Sequence, residues 1–367
     1  MKSCSAEPPK NNELEVSIFG PGKGESIVLH LGLGRWMVVD SCIDQEDRTV
    51  SGLKYLRKIG ADLQNVHMIV GTHAHDDHFA GIASFYEACE SATFVVSDAL
   101  TNAEFMALLG ADAEVPKPAR YSAYSEYRKI FEIAESRKNS NGIAPLRRAT
   151  EGARLLHLPA ASDFPSVTVT ALSPSEQAKT RALRAIAAES PQVNARRGKI
   201  PALDPNDASI ALWIEVGQVR ILLGADLLNG PAGCGWQAVV ASFKPDFPAS
   251  LYKVAHHGGA SSHHQPAWDK LLVRNPLAVM APYRRGGINQ PQPHDVERIL
   301  SLTDRAYITA VGTPTPSRAI RREKSQLGTL AQNPRSVWGK IGQVRARCTP
   351  GEGDWKVNTV SPAGPLR

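Results

Sequence analysis

The chain has 367 residues, 42% hydrophobic and 21% charged, with a formal net charge of +6 when histidine is neutral. That is enough apolar sequence for one large layered body or two smaller ones, and it excludes a disordered or fibrous chain. The basic excess is mild: it permits an anionic partner without requiring one.

In chain order, "MKSCSAEPPKNNELEV" carries no apolar segment of the kind a signal peptide needs, and no later run has the length and apolarity to span a bilayer. Residues 14–19, "LEVSIF", read as a strand, followed by the Gly-rich turn "GPGKGES" and the strands "IVLHLG" and "RWMVVDSC". Residues 51–59 have helical spacing, with Leu53, Leu56 and Ile59 on one face. The strand "VHMIVGT", a helix-like "FAGIASFYEACE" and the strand "ATFVVSD" complete an α/β unit. A helix is predicted in "SAYSEYRKIFEIAES", with Tyr124, Tyr127 and Phe131 on one side, inside a helical insertion at about 101–150.

Strands return in "ARLLHLP" and "VTVTALSP", then a helix at 176–189 and the basic, Pro-rich loop "SPQVNARRGKIPALDPND". "ASIALWIEV" and "VRILLGAD" are strands around the turn "GQ". The strand "LYKVAHH", a helix in "PAWDKLLV", the strand "LAVMAPY", a helix in "PHDVERILSL" and the short strand "AYITA" follow. The pattern βββα…βα occurs twice, which predicts two similar halves stacked face to face over residues 14–312. Residues 313–367 are a basic tail that ends in a β-hairpin around "GEGD".

Five scattered cysteines, odd in number and without CxxC spacing, fit a reducing cytoplasm and neither a disulfide framework nor a cysteine zinc site. Cys42 reads as a small buried residue.

The densest chemistry is "GTHAHDDHFAGI" at 71–82, where three histidines and two aspartates follow an apolar strand. Neutral imidazole and carboxylate are ligands for zinc, manganese or iron. His73 and His75 alternate by two, so extended backbone points both the same way, and Asp77 and His78 reach a second point after a turn. One loop can therefore hold two metals a few ångströms apart, the layout of two-metal hydrolysis. Without metal, four such groups packed together would repel or stay partly desolvated.

"THAHDDH" resembles the THxHxDH motif of the metallo-β-lactamase superfamily. Asp40 in "MVVDSC" resembles the superfamily's strand-end aspartate, which orients a ligand histidine from behind. Asp226 in "ILLGAD" resembles the "LLTGD" carboxylate that bridges two metals, and "LYKVAHHGGASSH" resembles "LKVPHHGS", whose histidine falls on His256, with His257 close behind. Three further stretches narrow the resemblance to the ComEC-type branch, the metallo-hydrolase domain of competence DNA-uptake proteins and their soluble relatives: "FGPGKGESIVLHLG", "NDASIALWIEVGQVRILLGAD" and "RGGINQPQPHDVERILSL". The similarity covers residues 14 to about 312 and leaves the insertion unmatched. No histidine plainly fills the third motif. His157 follows its order without its flanks, and Asn206 or Asp207 is the polar substitute that the branch implies. "LGAD" has Ala where Gly is usual and "HHGG" has Gly where Ser is common, and neither change removes a ligand.

The resemblance implies a four-layer αββα sandwich, the metallo-β-lactamase fold, with a helical insertion and a basic C-terminal extension. It implies two divalent ions, zinc or manganese: His73 and His75 on one, Asp77, His78 and His256 on the other, and Asp226 on both. A hydroxide between the metals would attack, oriented by Asp77, while His257, or His263 and His264, would protonate the leaving group. The expected substrate is a phosphodiester, in nucleic acid or a nucleotide, because the branch is linked to DNA processing and because arginine pairs suit phosphate through their forked donors. Arg284 and Arg285 are the nearest such pair; Arg196, Arg197, Arg321 and Arg322 form others. Two readings compete: a metallo-hydrolase of a small ester, lactone or amide, and a non-catalytic metal-binding protein that meets a partner through the insertion or the tail.

Overall fold

The computed structural model describes residues 7–21, 24–101, 105–106, 109, 122–189, 205–285, 288–311, 340–352 and 354–367. Two eight-stranded sheets dominate it. β1 (Leu14–Gly20), β2 (Ser26–Leu31) and β3 (Trp36–Val39) run antiparallel; β4 (Val66–Val70), β5 (Thr93–Ser97) and β6 (Leu146–Ala149) continue in parallel from β3. The second sheet repeats this with β7 (Arg154–Leu158), β8 (Val167–Ala171), β9 (Leu212–Val216) and β10 (Val219–Leu223) antiparallel, then β11 (Ala249–Lys253), β12 (Leu272–Met280) and β15 (Ala306–Ile308) parallel to β10. Between β12 and β15 stands a small separate hairpin, β13 (Tyr283–Arg285) with β14 (Ile288–Gln290).

The strands are covered on both faces, and so read as near-continuous apolar runs such as "WMVV" and "VHMIV". Val16, Ile18, Leu29 and Met37 of the first sheet meet Val169, Leu212, Ile214 and Leu251 of the second in a central core. The outer face of the first sheet carries α1 (Ser51–Lys58), α3 (Ile82–Ala88), α4 (Ala123–Ser136) and, through Ile186, α5 (Glu176–Glu189); that of the second carries α6 (Gly235–Ser242), α7 (Gln265–Leu271) and α8 (Pro293–Leu302). This is the αββα sandwich of the metallo-β-lactamase fold.

α1 buries Leu53, Tyr55 and Leu56 and keeps Lys54, Arg57 and Lys58 outward, with the last two placed where the helix dipole favours cations. The helix expected at 79–90 is interrupted. Asp76–Phe79 forms a single turn, α2, and α3 starts only after Gly81 at φ +80°, where a Cβ would lie 2.7 Å from Val50 Cγ2. Tyr127, Ile130 and Ala134 of α4 are buried, with Tyr124 and Phe131 packed beside them, and the Ser122 hydroxyl accepts from Ser125 N at 3.1 Å as an N-cap.

The described part of the insertion is fastened to the ligand loop. Asp76 Oδ1 accepts from Ala123 N at 3.0 Å, Glu126 Oε2 accepts from Ala83 N at 3.0 Å, and Tyr127 stacks on Phe79 with centroids 4.2 Å apart. The rest of it (102–104, 107–108 and 110–121) lies outside the described residues.

The C-terminal hairpin is part of the sandwich. β16 (Gly342–Cys348) pairs with β1 from Gly20↔Gly342 to Leu14↔Cys348, β17 (Lys356–Val360) adds the edge strand, and β18 (Gly364–Pro365) pairs with β15 of the other sheet. The fully buried Glu15 carboxylate joins this strand to α1, accepting from Ser17 Oγ at 2.7 Å, Tyr55 OH at 2.6 Å and Arg347 Nε at 2.7 Å. Residues 312–339 of the basic tail, with Arg321 and Arg322, and the loop at 190–204, with Arg196 and Arg197, are outside the described residues.

Candidate metal centre

The sequence-predicted site residues come from the C-terminal ends of two parallel strand pairs, β3–β4 in one sheet and β10–β11 in the other, where α/β sheets gather their ligands. Asp40 follows β3, His73 follows β4, Asp226 follows β10 and His257 follows β11. The structure thus draws residues 73–78 together with 226 and 257, over a sequence gap of about 150 residues.

Asp40 (φ +58°) is buried and organises the first strand ends. Its Oδ1 accepts from Thr72 N at 2.8 Å; its Oδ2 accepts from Thr72 Oγ1 and from His78 Nδ1, each at 2.7 Å. The Thr72 hydroxyl spends its proton on Asp40, so at 2.9 Å it accepts one from His73 Nδ1. These bonds assign the tautomers: both Nδ1 atoms carry protons, and both Nε2 atoms face inward.

Two groups form there, each with one candidate ligand atom per residue and all those atoms within 4.8 Å of one another: His73, His75 and Asp226; and Asp77, His78 and His257. Asp226 Oδ2 stands between them, 3.7 Å from His73 Nε2, 3.3 Å from His78 Nε2 and 3.5 Å from His257 Nε2. Asp77 Oδ2 lies 3.7 Å from His78 Nε2 and 3.5 Å from His257 Nε2, and its side chain, 17% exposed, is far more open to solvent than that of Asp226 at 2%. Asp226 N donates to Ser209 Oγ at 3.1 Å, which ties the corner to the 3-10 turn Pro205–Ala208. That turn contains the buried Asn206 and the backbone of Asp207.

The structure brings in His257 and leaves His256 aside. Both occupy left-handed backbone (φ +47° and +55°) in the turn Ala255–Gly258. His257 is buried and donates from Nδ1 to Ala281 O at 2.9 Å, which turns Nε2 inward, while Tyr283 at the foot of the β13–β14 hairpin stacks on its ring at 5.2 Å. His256 is half-buried, with Nδ1 3.0 Å from Ser261 Oγ. The geometry therefore gathers the inward Nε2 of His257 beside Asp77 and Asp226, at the place where the sequence reading expected His256. His157 lies exposed on the edge strand β7, 3.2 Å from Thr168 Oγ1. Arg284 and Arg285 belong to β13, beside Tyr283. Cys42 is buried, and burial pushes its thiol up to about 12.

Sequence reasoning passed over Thr72, Ser209, Glu25 and Lys253. The signal for Lys253 was present, since "LYKVA" puts a lysine inside an otherwise apolar strand.

Electrostatically the groups are strongly coupled. Burial and the neighbouring His78 push His73 well below its ordinary value. Burial opposes charge on His78, but Asp226, Asp40 and Asp77 together hold it well above its ordinary value. His257 is lifted against burial to about 10 by Asp226 and Asp77. Burial would raise the two carboxyls, yet His78 and His257 keep Asp77 and Asp226 well below the usual carboxylate range. These residues suit divalent ions: His78 Nε2 and Asp226 Oδ1 are buried atoms with no hydrogen-bond partner among the described residues, and a cation would satisfy both.

Residues 19–118, which hold Asp40 and the whole THAHDDH loop, match the family model described as the metallo-beta-lactamase superfamily. The match covers the N-terminal part of the site, and the two-sheet αββα architecture is consistent with the metallo-beta-lactamase fold. No curated protein matches the sequence. Among solved structures, a Cronobacter sakazakii metallo-beta-lactamase with a HARLDQ motif is 15% identical, covering 65% of this chain and 76% of its own, at a TM-score of 0.35. A B3 metallo-beta-lactamase with an active-site glutamic acid is 14% identical over 69% of this chain and 80% of its own, at 0.34. The metallo-beta-lactamase SMB-1 bound to 2-mercaptoethanesulfonate is 13% identical over 71% and 86%, at 0.34.

Proposed function

We propose that the protein is a metal-dependent phosphodiesterase or nuclease, acting on nucleic acid or a nucleotide with two zinc or manganese ions. The observation that carries the metal reading is the single Asp226 Oδ2 poised among the inward Nε2 atoms of His73, His78 and His257. His73, His75 and Asp226 would hold one ion; Asp77, His78, His257 and again Asp226 the other. Bound there, the pair would supply Lewis acidity towards the scissile group and activate water at neutral pH. Asp77, the more exposed of the two carboxylates, would orient the attacking water. Asp40 and the Ala281 carbonyl fix the Nδ1 protons of His78 and His257, which keeps both rings aimed.

Three features support a phosphodiester: the net charge of +6, the Arg284–Arg285 pair on the hairpin rooted beside His257, and the ComEC-like segments. The test is purified protein supplied with manganese or zinc and offered plasmid DNA and bis-nitrophenyl phosphate. Cleavage that disappears in His75→Ala is the expected result. Turnover confined to carboxylic esters or lactones would replace the substrate class, and full metal occupancy without turnover would remove the enzyme reading.

A further inference from the structure

Lys253 ends β11 with 0% exposure, and Glu25, on the loop before β2, is equally buried. Lys253 Nζ pairs directly with Glu25 Oε1, donates to Ala225 O at 3.1 Å and stands 3.9 Å from Asp226 Oδ1. Glu25 also lies behind two of the imidazoles, 3.9 Å from His78 Nδ1 and 3.8 Å from His257 Nδ1, on the side away from Asp226. With Asp40 and His78 it forms a third set of candidate ligand atoms within 4.8 Å of one another. A solvent-free ion pair is costly, and a neutral pair of the same shape would fill this space at no such cost. The charges are therefore expected to serve the neighbouring site.

We propose that Glu25 and Lys253 are positioning residues of the metal centre: Lys253 is a tethered cation that balances Glu25 and pins the Ala225–Asp226 corner, and Glu25 sets the field behind His78 and His257. The inference rests on the dinuclear reading above. Ala225 sits at φ +43°, and its carbonyl accepts from His256 N at 2.9 Å as well as from Lys253. One oxygen thus links the ammonium to the corner that carries Asp226 and to the turn that carries His257. Four carboxylates crowd this end of the sandwich (Glu25, Asp40, Asp77 and Asp226), and a lysine balances one of them without the freedom to dissociate that a third ion would have.

The test compares full-length wild type with Glu25→Gln, Lys253→Met and the double variant. Each is titrated with cobalt(II), read by its d–d absorption and by equivalents bound, and each metal-free protein is melted. The double variant leaves neither charge unpaired. It is expected to melt near wild type when metal-free, yet to bind its second cobalt at least about tenfold more weakly with an altered spectrum. Glu25→Gln, which keeps the Lys253 bond to Ala225, is expected to show the same weakening and carries the test if the double variant fails to fold. Wild-type cobalt affinity and spectrum in a folded double variant or in Glu25→Gln would reduce the pair to a structural element. A wild-type protein that never takes up two equivalents would instead overturn the dinuclear reading itself.

Discussion

Asp226 and His257 depend on backbone that few residues adopt willingly: Ala225, His256 and His257 all have positive φ. Asp226→Asn keeps the shape of the corner but removes its negative charge and puts an NH2 donor in place of one oxygen, so phosphodiester turnover should fall by about 100-fold or more with loss of one metal equivalent. His256→Ala, which removes the ring bonded to Ser261 and keeps the backbone bond to Ala225, should stay within about threefold of wild type in the same assay. The distinction was not readable in "AHHGG". Alternation along β11 stops at Lys253, and two successive left-handed residues then decide which ring turns inward. His73, His75, Asp77 and His78, by contrast, were legible because their whole geometry is local: two extended residues and one helical turn. A second residue-level test lies far from the centre. His30 donates from Nδ1 to Glu13 O at 2.8 Å and accepts at Nε2 from Gly34 N at 3.0 Å, so its ring is held neutral, and burial lowers its pKa from 6.5 to about 4. Between those values the unfolded chain takes up a proton that the folded one refuses. The stability due to this ring is therefore whole above pH 6.5 and falls as pH drops towards 4. Denaturation of wild type and His30→Gln should converge over that range, their difference shrinking by up to about 3 kcal/mol.

Among the elements, the loop between β1 and β2 sets the ligand turn from outside. Gly24 has φ +110°, a Cβ there would fall 1.4 Å from Asp77 O, and the next residue donates its N–H to that same oxygen at 3.1 Å. Gly24→Ala must therefore push the loop off α2. Chemical denaturation should register a loss of at least about 2 kcal/mol, and metal titration a weaker second equivalent. The long strands and the 3.6-residue helices announced themselves in sequence because each supplies enough residues for a period to show. β6, with its outward Arg147 and Arg148, and the three-residue strands of the β13–β14 hairpin did not, being too short for alternation to register. The Gly81 break escaped for another reason: "FAGIASFYEACE" reads as one helix unless the contact with Val50 is known.

At the scale of the molecule, the doubled βββα pattern gave away the stacked halves, since each half must bury one face of its sheet on the other. The closure at the open edges stayed hidden, because "KIGQVRARC" has the same alternation whether it ends a loose tail or enters a sheet. A chain cut before Gly342 loses β16, β17 and β18 together, bares the seven-residue edge of β1 and strips Arg347 from the buried Glu15. Such a fragment should be insoluble or aggregate on refolding, as light scattering would show.

The pairing of β1 with β16 also bears on how the chain is made. A ribosome releases Leu14 long before Cys348, yet the two strands lie side by side in the finished sheet. During most of translation the β1 edge has no mate, and contacts that span so much sequence form slowly. The nascent polypeptide must therefore be kept from self-association, by chaperones or by low concentration, until its last strands emerge.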